Sequence, residues 1–346
     1  MMEGGPDEDA VEEGEPVSGH GRPGRLAWGL GAAALVLGAL ALGNRVAARR
    51  AERRHAPQGH FVTVGGVRLH YLDEGQGQPV VLLHGNGATV EDFRASGVLG
   101  GLARRYRVLA FDRPGFGHSG RPRGTVWTAG AQAEILRKAL RQLGIHQPLL
   151  LGHSWGALAA LAMALDAPRD TRGAILLSGY YFPGPRLDVL LPSLSALPLL
   201  GDILCHTLSP VLGRAVLPAL LRRIFAPRPV SAAFTAGFPR AMALRPGQLR
   251  ASAADTALML PGAAALLRRH GDASFPVILL AGAEDRMVTT DRQSRRLQPR
   301  IPGSELRILP GEGHMIHHTA PGAIIAAVDD AMRRAGAPAR QEGQAP

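Results

Sequence analysis

Gly152-His153-Ser154-Trp155-Gly156 stands between an apolar run, Leu149 to Leu151, and an Ala-rich stretch, Ala157 to Leu165. This is a G-x-S-x-G pattern in a strand–turn–helix setting, the arrangement that lifts a serine hydroxyl into the open on a sharp turn. The turn brings backbones so close that a side chain at Gly152 or Gly156 would clash, which is why both positions are glycine. The serine then sits at a helix N-terminus, where free N–H groups and the helix dipole favour developing negative charge. A serine hydroxyl attacks an acyl carbon only when a histidine takes its proton, and the histidine must be held by a carboxylate. Where the serine stands in this strand–turn–helix setting, its partners follow in the chain order serine, acid, histidine. Asp285, in Ala281-Gly282-Ala283-Glu284-Asp285, follows the apolar run Val277 to Ala281, and His314, in Gly311-Glu312-Gly313-His314, follows Glu305 to Leu309. Both are expected on loops at the carboxyl ends of strands, on the same edge as Ser154. Glu284 is expected to point elsewhere in the turn, His317 and His318 to begin the last helix, and Asp255 and Asp272 to precede no suitable loop.

A tetrahedral intermediate needs backbone donors for its oxyanion. The Gly-rich run His84-Gly85-Asn86-Gly87 follows the apolar run Val80 to Leu83. The expected oxyanion pair is the amides of Asn86 and of Trp155, the residue after the nucleophile. His84, Asp112 and His118 read as loop organisers, with the turn Asp112 to Ser119 bracing the oxyanion loop.

The elements that must position these residues alternate as an α/β fold does. Phe61 to Val64 and Val67 to Leu72 flank Gly65-Gly66, a two-residue hairpin signal. Val80 to Leu83, Arg107 to Phe111, Leu149 to Leu151, Ala174 to Leu177, Val277 to Ala281 and Glu305 to Leu309 are short apolar runs suited to strands covered on both faces. Thr128 can cap a helix to Leu143 in which Ile135, Leu136, Ala139, Leu140 and Leu143 share one face. A mostly parallel sheet with helices on both faces follows, with residues 59–182 and 246–335 as its core. Residues 183–245, punctuated by prolines and without a convincing strand, are expected to form a helical lid over the strand ends, where ligands bind in open α/β sheets.

Residues 1–25 are acidic and poor in large apolar side chains and are expected to be disordered, like 336–346. Residues 26–44 carry no charge. At about 1.5 Å of helix rise per residue that run just spans a bilayer, so it is assigned as a single-pass anchor contacting lipid, and 45–58 as a basic linker. Arg45, Arg49, Arg50, Arg53 and Arg54 outnumber Arg22 and Arg25 across it, a balance that leans toward a cytoplasmic globular domain, although a short acidic N-terminus is also easily retained inside.

The net charge of +11 comes almost wholly from scattered arginines, Lys138 being the only lysine, and only 5% of the chain is aromatic. A nucleic-acid surface is therefore not expected. The single Cys205 excludes an intramolecular disulfide framework and a cysteine zinc site, and reads as a small buried apolar side chain. Oligomeric state is not legible.

Taken together, His84 to Gly87, Asp112 to Ser119, Gly152 to Gly156, Asp285 and His314 resemble the α/β-hydrolase superfamily over roughly Phe61 to Arg333, the lid excepted. The resemblance implies the fold, the triad and a lidded pocket, with neither metal nor organic cofactor. Serine members are mostly esterases, lipases, lactonases, amidases or carbon–carbon bond hydrolases, some with cofactor-free haloperoxidase-like activity. Ser154 argues against the related epoxide hydrolases and haloalkane dehalogenases, which use an aspartate there. Tyr180 and Tyr181 are read as substrate-pocket lining rather than epoxide-activating groups. The lid is rich in Leu, Pro, Ala and Phe and poor in acids, so the expected substrate is a small apolar ester or lactone cleaved through an acyl-enzyme. A lyase or oxidative activity of the same residues, and a catalytically silent binding module, stand as alternatives.

Overall fold

The computed structural model describes Met1, residues 23–184 and residues 190–336. The expectations for residues 2–22 and 337–346 lie outside these. The first element, α1 (Pro23–Arg54), straddles two compact units, Met1–Ala39 and Leu40–Pro346. In the first unit Trp28, Leu30, Leu35 and Val36 are all exposed, and the helix from Ala27 onward is long and apolar enough to cross a membrane. The expected linker at 45–58 is corrected: the helix runs on to Arg54. Charge ends a hydropathy run but not a helix, and Arg45–Arg54 is built mostly of Ala, Arg and Glu, all good helix formers.

The second unit is built on an eight-stranded sheet, in chain order β1 (His60–Val64), β2 (Val67–Glu74), β3 (Pro79–Leu83), β4 (Arg107–Phe111), β5 (Leu149–His153), β6 (Gly173–Leu177), β7 (Val277–Gly282) and β8 (Glu305–Leu309). In space the order is β1-β2-β4-β3-β5-β6-β7-β8. The β1–β2 hairpin turns at Gly65-Gly66, with φ of +54° and +77°, and pairs Val64 with Val67. From β4 onward all pairs are parallel. The strand sequence reverses direction between β3 and β5, and such a switch point opens a crevice at the carboxyl ends of the strands. Leu83 of β3 lies beside Gly152 of β5 there, so the Gly-rich loop and the serine turn emerge side by side.

Alternate residues of the central strands feed opposite faces, as a two-residue period requires. Val81, Leu83, Leu109 and Phe111 enter one core with α4 (Ala129–Gln142) and α5 (Trp155–Asp166). Val80, Leu82, Val108 and Ala110 enter the other, with α2 (Val90–Ala95), α3 (Val98–Ala103) and α14 (Pro321–Gly336). Thr128 caps α4 as expected, accepting from the Ala131 amide at 3.1 Å. The edge strand β8 is only half-buried along its length, unlike the doubly covered strand its sequence suggested.

Between β6 and β7 the described chain is helical: α6 (Leu190–Ser193), α7 (Leu200–His206), α8 (Leu208–Phe225), α9 (Ala232–Gly237), α10 (Arg240–Ala243) and α11 (Pro246–Leu266). Residues 185–189 of the expected lid lie outside the described residues. Leu221 and Phe225 of α8, Phe234 and Phe238 form a small core closed by Met315. α11 starts where the hydrolase core was expected to resume, yet its Ser252 and Thr256 lie against the Gly-rich loop after β3. The remaining short helices, α12 (Ser294–Leu297) and α13 (Ile316–Thr319), follow β7 and β8.

Candidate active site

Ser154 caps α5 with φ +53° and ψ −118°, a conformation that costs a non-glycine residue about 1–3 kcal/mol. Its neighbours impose it. A Cβ at Gly152 would land on the Gly156 carbonyl, and one at Gly156 on the carbonyls of Leu83 and His84. The Ser154 amide donates to the Leu177 carbonyl at 2.8 Å, which pins the turn to β6.

His314 follows β8 and Asp285 follows β7, and the structure brings both to Ser154. The Ser154 hydroxyl lies 3.0 Å from His314 Nε2, and His314 Nδ1 lies 2.8 Å from Asp285 Oδ2. Because the carboxylate accepts from Nδ1, Nε2 is left to accept the hydroxyl proton. Asp285 Oδ1 accepts from the amides of Met287 and Val288, each at 2.8 Å, which fixes the plane of the carboxylate. Glu284 is exposed and takes no part.

Asn86 and Trp155 follow β3 and β5 at the switch point. Among the described residues neither amide N–H has an intramolecular partner. The Asn86 side chain turns away, its Nδ2 donating to the Ser252 carbonyl at 3.1 Å and to the Thr256 hydroxyl at 2.9 Å. Space is tight at Gly85 in the same loop, where a Cβ would stand 3.0 Å from His153 Nδ1 and 3.3 Å from Ser154 Cβ, so that those groups would have to shift by a few tenths of an ångström.

The brace of this loop is stronger than its sequence suggested. Arg113 is completely buried, sandwiched between the rings of Trp155 and Phe116 at 4.4 and 4.5 Å. Its Nε donates to the His84 carbonyl at 2.8 Å and Nη2 to the Gly85 carbonyl at 3.1 Å, so it grips the chain just before Asn86. Its counter-ion is Asp255 of α11, at 2.6 Å and equally buried, and the Asp255 carbonyl accepts from Trp155 Nε1 at 2.9 Å. His84 donates Nδ1–H to the Gly85 carbonyl and accepts the Arg113 amide on Nε2. Burial and the Arg113 charge push its pKa down to about 4, so it is neutral. Asp112 accepts from the amides of Val90 and His118 and from His70. Burial opposes its ionisation, but the His70 hydrogen bond prevails and its pKa is lowered.

Beneath His314 lies a buried cluster. His153 Nε2 donates to the His314 carbonyl at 3.1 Å, and the His153 ring stacks near His317 with centroids 4.2 Å apart. His317 and His318 both donate Nε2–H to Asp92, at 2.9 and 2.7 Å. Burial works against the Asp92 charge, yet His317 and His318 hold its carboxyl well below the usual range. Burial keeps His153 and His317 neutral. Asp92, His153 and His317 bring ligand atoms within 4.8 Å of one another, the one grouping of metal-ligand type among the described residues, and the hydrogen bonds to Asp92 already occupy the carboxylate.

Tyr180 lines a cavity of about 630 Å³ with Phe182, Met287, Val288 and Arg296, next to the Asp285 loop. Tyr181, buried like Tyr180 in the main core, is not among the residues that line this cavity. Sequence reasoning also passed over Arg113, Asp255 and Asp92.

A family model described as the alpha/beta hydrolase fold matches residues 78–321. Haloalkane dehalogenase 2 of Mycobacterium tuberculosis is 29% identical over 271 residues, covering 75% of this chain and 90% of its own. A 2-hydroxy-6-oxo-2,4-heptadienoate hydrolase of Pseudomonas putida is 34% identical over 126 residues, covering 36% of this chain and 45% of its own. Among solved structures, a thermophilic esterase from Thermogutta terrifontis shares the fold at TM-score 0.63 and 23% identity, over 81% of this chain and all (100%) of its own. A bacterial membrane phospholipase A does so at TM-score 0.63 and 21% identity, over 90% and 96%. Strand order, the serine turn at the switch point and the family match over most of the sheet agree: this chain belongs to the α/β-hydrolase family.

Proposed function

We propose that this protein is a serine hydrolase that cleaves an apolar carboxylic ester or lactone through an acyl-enzyme, with Ser154 as nucleophile, His314 as base and Asp285 as its orienting acid. The observation that carries this reading is the continuous relay from the Asp285 carboxylate through His314 to the Ser154 hydroxyl, with steps of 2.8 and 3.0 Å. His314 takes the hydroxyl proton as Ser154 attacks the acyl carbon, then returns it to the leaving alcohol. The amide N–H groups of Asn86 and Trp155 face the developing oxyanion, each such donor being worth about 10²–10³ in rate. Water, deprotonated by the same histidine, then releases the acid.

The haloalkane dehalogenase relative does not transfer its named activity to this chain, because the resemblance implies an aspartate at the nucleophile position and residue 154 is serine. The esterase neighbour is the better guide to bond type. A second reading, hydrolysis of a carbon–carbon bond by the same three residues, is favoured by the local likeness to the heptadienoate hydrolase. In the proposed arrangement residues 183–245 form the lid, α1 anchors the protein in a bilayer, and the hydrolase domain faces the cytoplasm.

The test is a p-nitrophenyl ester series of increasing acyl length with the wild type and Ser154→Ala. The proposal expects turnover that Ser154→Ala reduces by on the order of 10⁴–10⁶-fold. Equal cleavage by both proteins overturns it, and cleavage only of a vinylogous diketone substrate selects the second reading.

A further inference from the structure

Among the described residues, exposed large apolar side chains concentrate on two stretches. Apart from Met1 and Val126, every such side chain among the described residues lies on α1 or between Leu194 and Leu220. On α8, Leu208, Leu212, Val216 and Leu220 recur at four-residue spacing and form one outward stripe, with Leu212 60% and Val216 58% exposed. Leu221 and Phe225 occupy the inner face and fill the lid core. A helix covered by water on its outer side carries polar residues there. This one carries leucine and valine, has no carboxylate along its length, and ends in Arg222 and Arg223. α7 adds Leu199 at its cap, 79% exposed, and Ile203, and meets α8 at a bend of 60°. A contiguous surface of this kind marks an interaction site.

Its position identifies the occupant. Asn44, the last uncharged residue of the run that began at Leu26, is buried against the corner between α7 and α8. Its Nδ2 donates to the carbonyls of His206 and Thr207 at 2.9 and 2.8 Å, filling acceptors that the end of α7 leaves open. Leu42 and Val46, two positions either side of Asn44 and so turned away from that corner, are themselves exposed, and the apolar run of α1 therefore ends where the lid corner is held. Arg45, Arg49, Arg222 and Arg223 have no carboxylate partner among the described residues.

We propose that the outer faces of α7 and α8 lie in the interfacial layer of the leaflet at which α1 leaves the bilayer. This rests on reading α1 as a membrane anchor. Amphipathic helices sit about 5–10 Å deep in the headgroup–acyl boundary, with basic side chains toward anionic lipid. The inner face of α8 packs on Met315, the residue after His314, and a Cβ at Gly313 would strike the Ala226 carbonyl just past α8. The membrane-facing helix is therefore built onto the His314 loop, and the pocket takes substrate from the acyl region of that leaflet.

The test uses the full chain in phosphatidylcholine–phosphatidylglycerol vesicles, with Cys205→Ala removing the native thiol. Single cysteines at Leu212, Leu35 and Arg169, the last exposed beside the amino end of β6, carry an environment-sensitive fluorophore. The proposal expects the Leu212 label to emit blue-shifted, to be quenched by acyl-chain-brominated lipid and to be shielded from aqueous iodide, with Arg169 showing the opposite. Quenching at Leu35 without quenching at Leu212 overturns the lid contact and leaves the anchor standing. Quenching at neither position overturns both. Quenching at Leu212 alone overturns the anchor and with it the placement of the lid at the leaflet where α1 leaves the bilayer. Energy transfer between Leu212 labels on mixed copies, unaffected by brominated lipid, assigns the face to a second copy and overturns the proposal.

Discussion

Asp255→Ala removes the counter-ion of Arg113 and leaves the guanidinium where it is. Both side chains are wholly inaccessible, and the bridge between them is 2.6 Å long. Arg113 cannot swing out to water, because Trp155 and Phe116 hold its two faces and the carbonyls of His84 and Gly85 hold its edge. Arg121, 2.9 Å from the other oxygen of Asp255, loses the same partner and brings a second cation to the gap. Removing one member of a buried pair costs about 3–5 kcal/mol, because the surviving charge is left out of water without a counter-ion. For a domain of this size that lowers the unfolding midpoint by roughly 5–8 °C. Replacing both members, in Arg113→Met with Asp255→Leu, removes the stranded charge and is expected to recover more than half of the loss. The assay is thermal and denaturant unfolding of the full chain in detergent, with ester turnover measured on the same samples. The Asp255→Ala protein is also expected to lose turnover, since Arg113 no longer fixes the carbonyls that aim the Asn86 amide. An Asp255→Ala unfolding free energy within about 1 kcal/mol of wild type would refute the reasoning. So would a double variant as unstable as the sum of the singles.

Further outcomes follow from the same geometry. Gly156→Ala drives a methyl group into the Leu83 carbonyl and is expected to abolish folding or activity, whereas Gly100→Ala, with nothing within 4 Å, is expected to be neutral or stabilising by under about 1 kcal/mol; yields and melting curves of the two variants check this. His84 and His270 are both held near 4 by burial, so the unfolded chain binds more protons than the native one between about pH 6.5 and 4. Stability is therefore expected to fall as pH drops through that window, and a midpoint flat from pH 7 to pH 4.5 contradicts it. Asp92→Asn takes a carboxylate from His317 and His318 and is expected to cost about 1–3 kcal/mol while lowering kcat more than it raises KM, a split read from steady-state kinetics.

Much of this was legible in the chain because strands of an α/β sheet are short apolar runs, and the chemistry sits where those runs stop. Ser154, Asp285 and His314 each follow such a run, so their meeting at one edge was an expectation with a geometric basis. Gly152 and Gly156 announced the close approach of α5 to β3 by their lack of a side chain. The supporting layer was not legible. Arg113 and Asp255 are separated by 142 positions, and nothing in the local pattern of α11 marks Asp255 as inward-facing. Asp92 and His317 are 225 apart and meet only because α2 and α13 pack over the same strand ends. The end of α1 was misread for a different reason: arginine stops an apolar run while favouring the helix that carries it.

The most direct test is labelling of the intact protein with a fluorophosphonate followed by peptide mass spectrometry. A single phosphonyl adduct on the Ser154 peptide is the expected result, lost in Ser154→Ala and slowed by orders of magnitude in His314→Ala. A folded protein that forms no adduct, or that carries the same adduct after Ser154→Ala, contradicts the account.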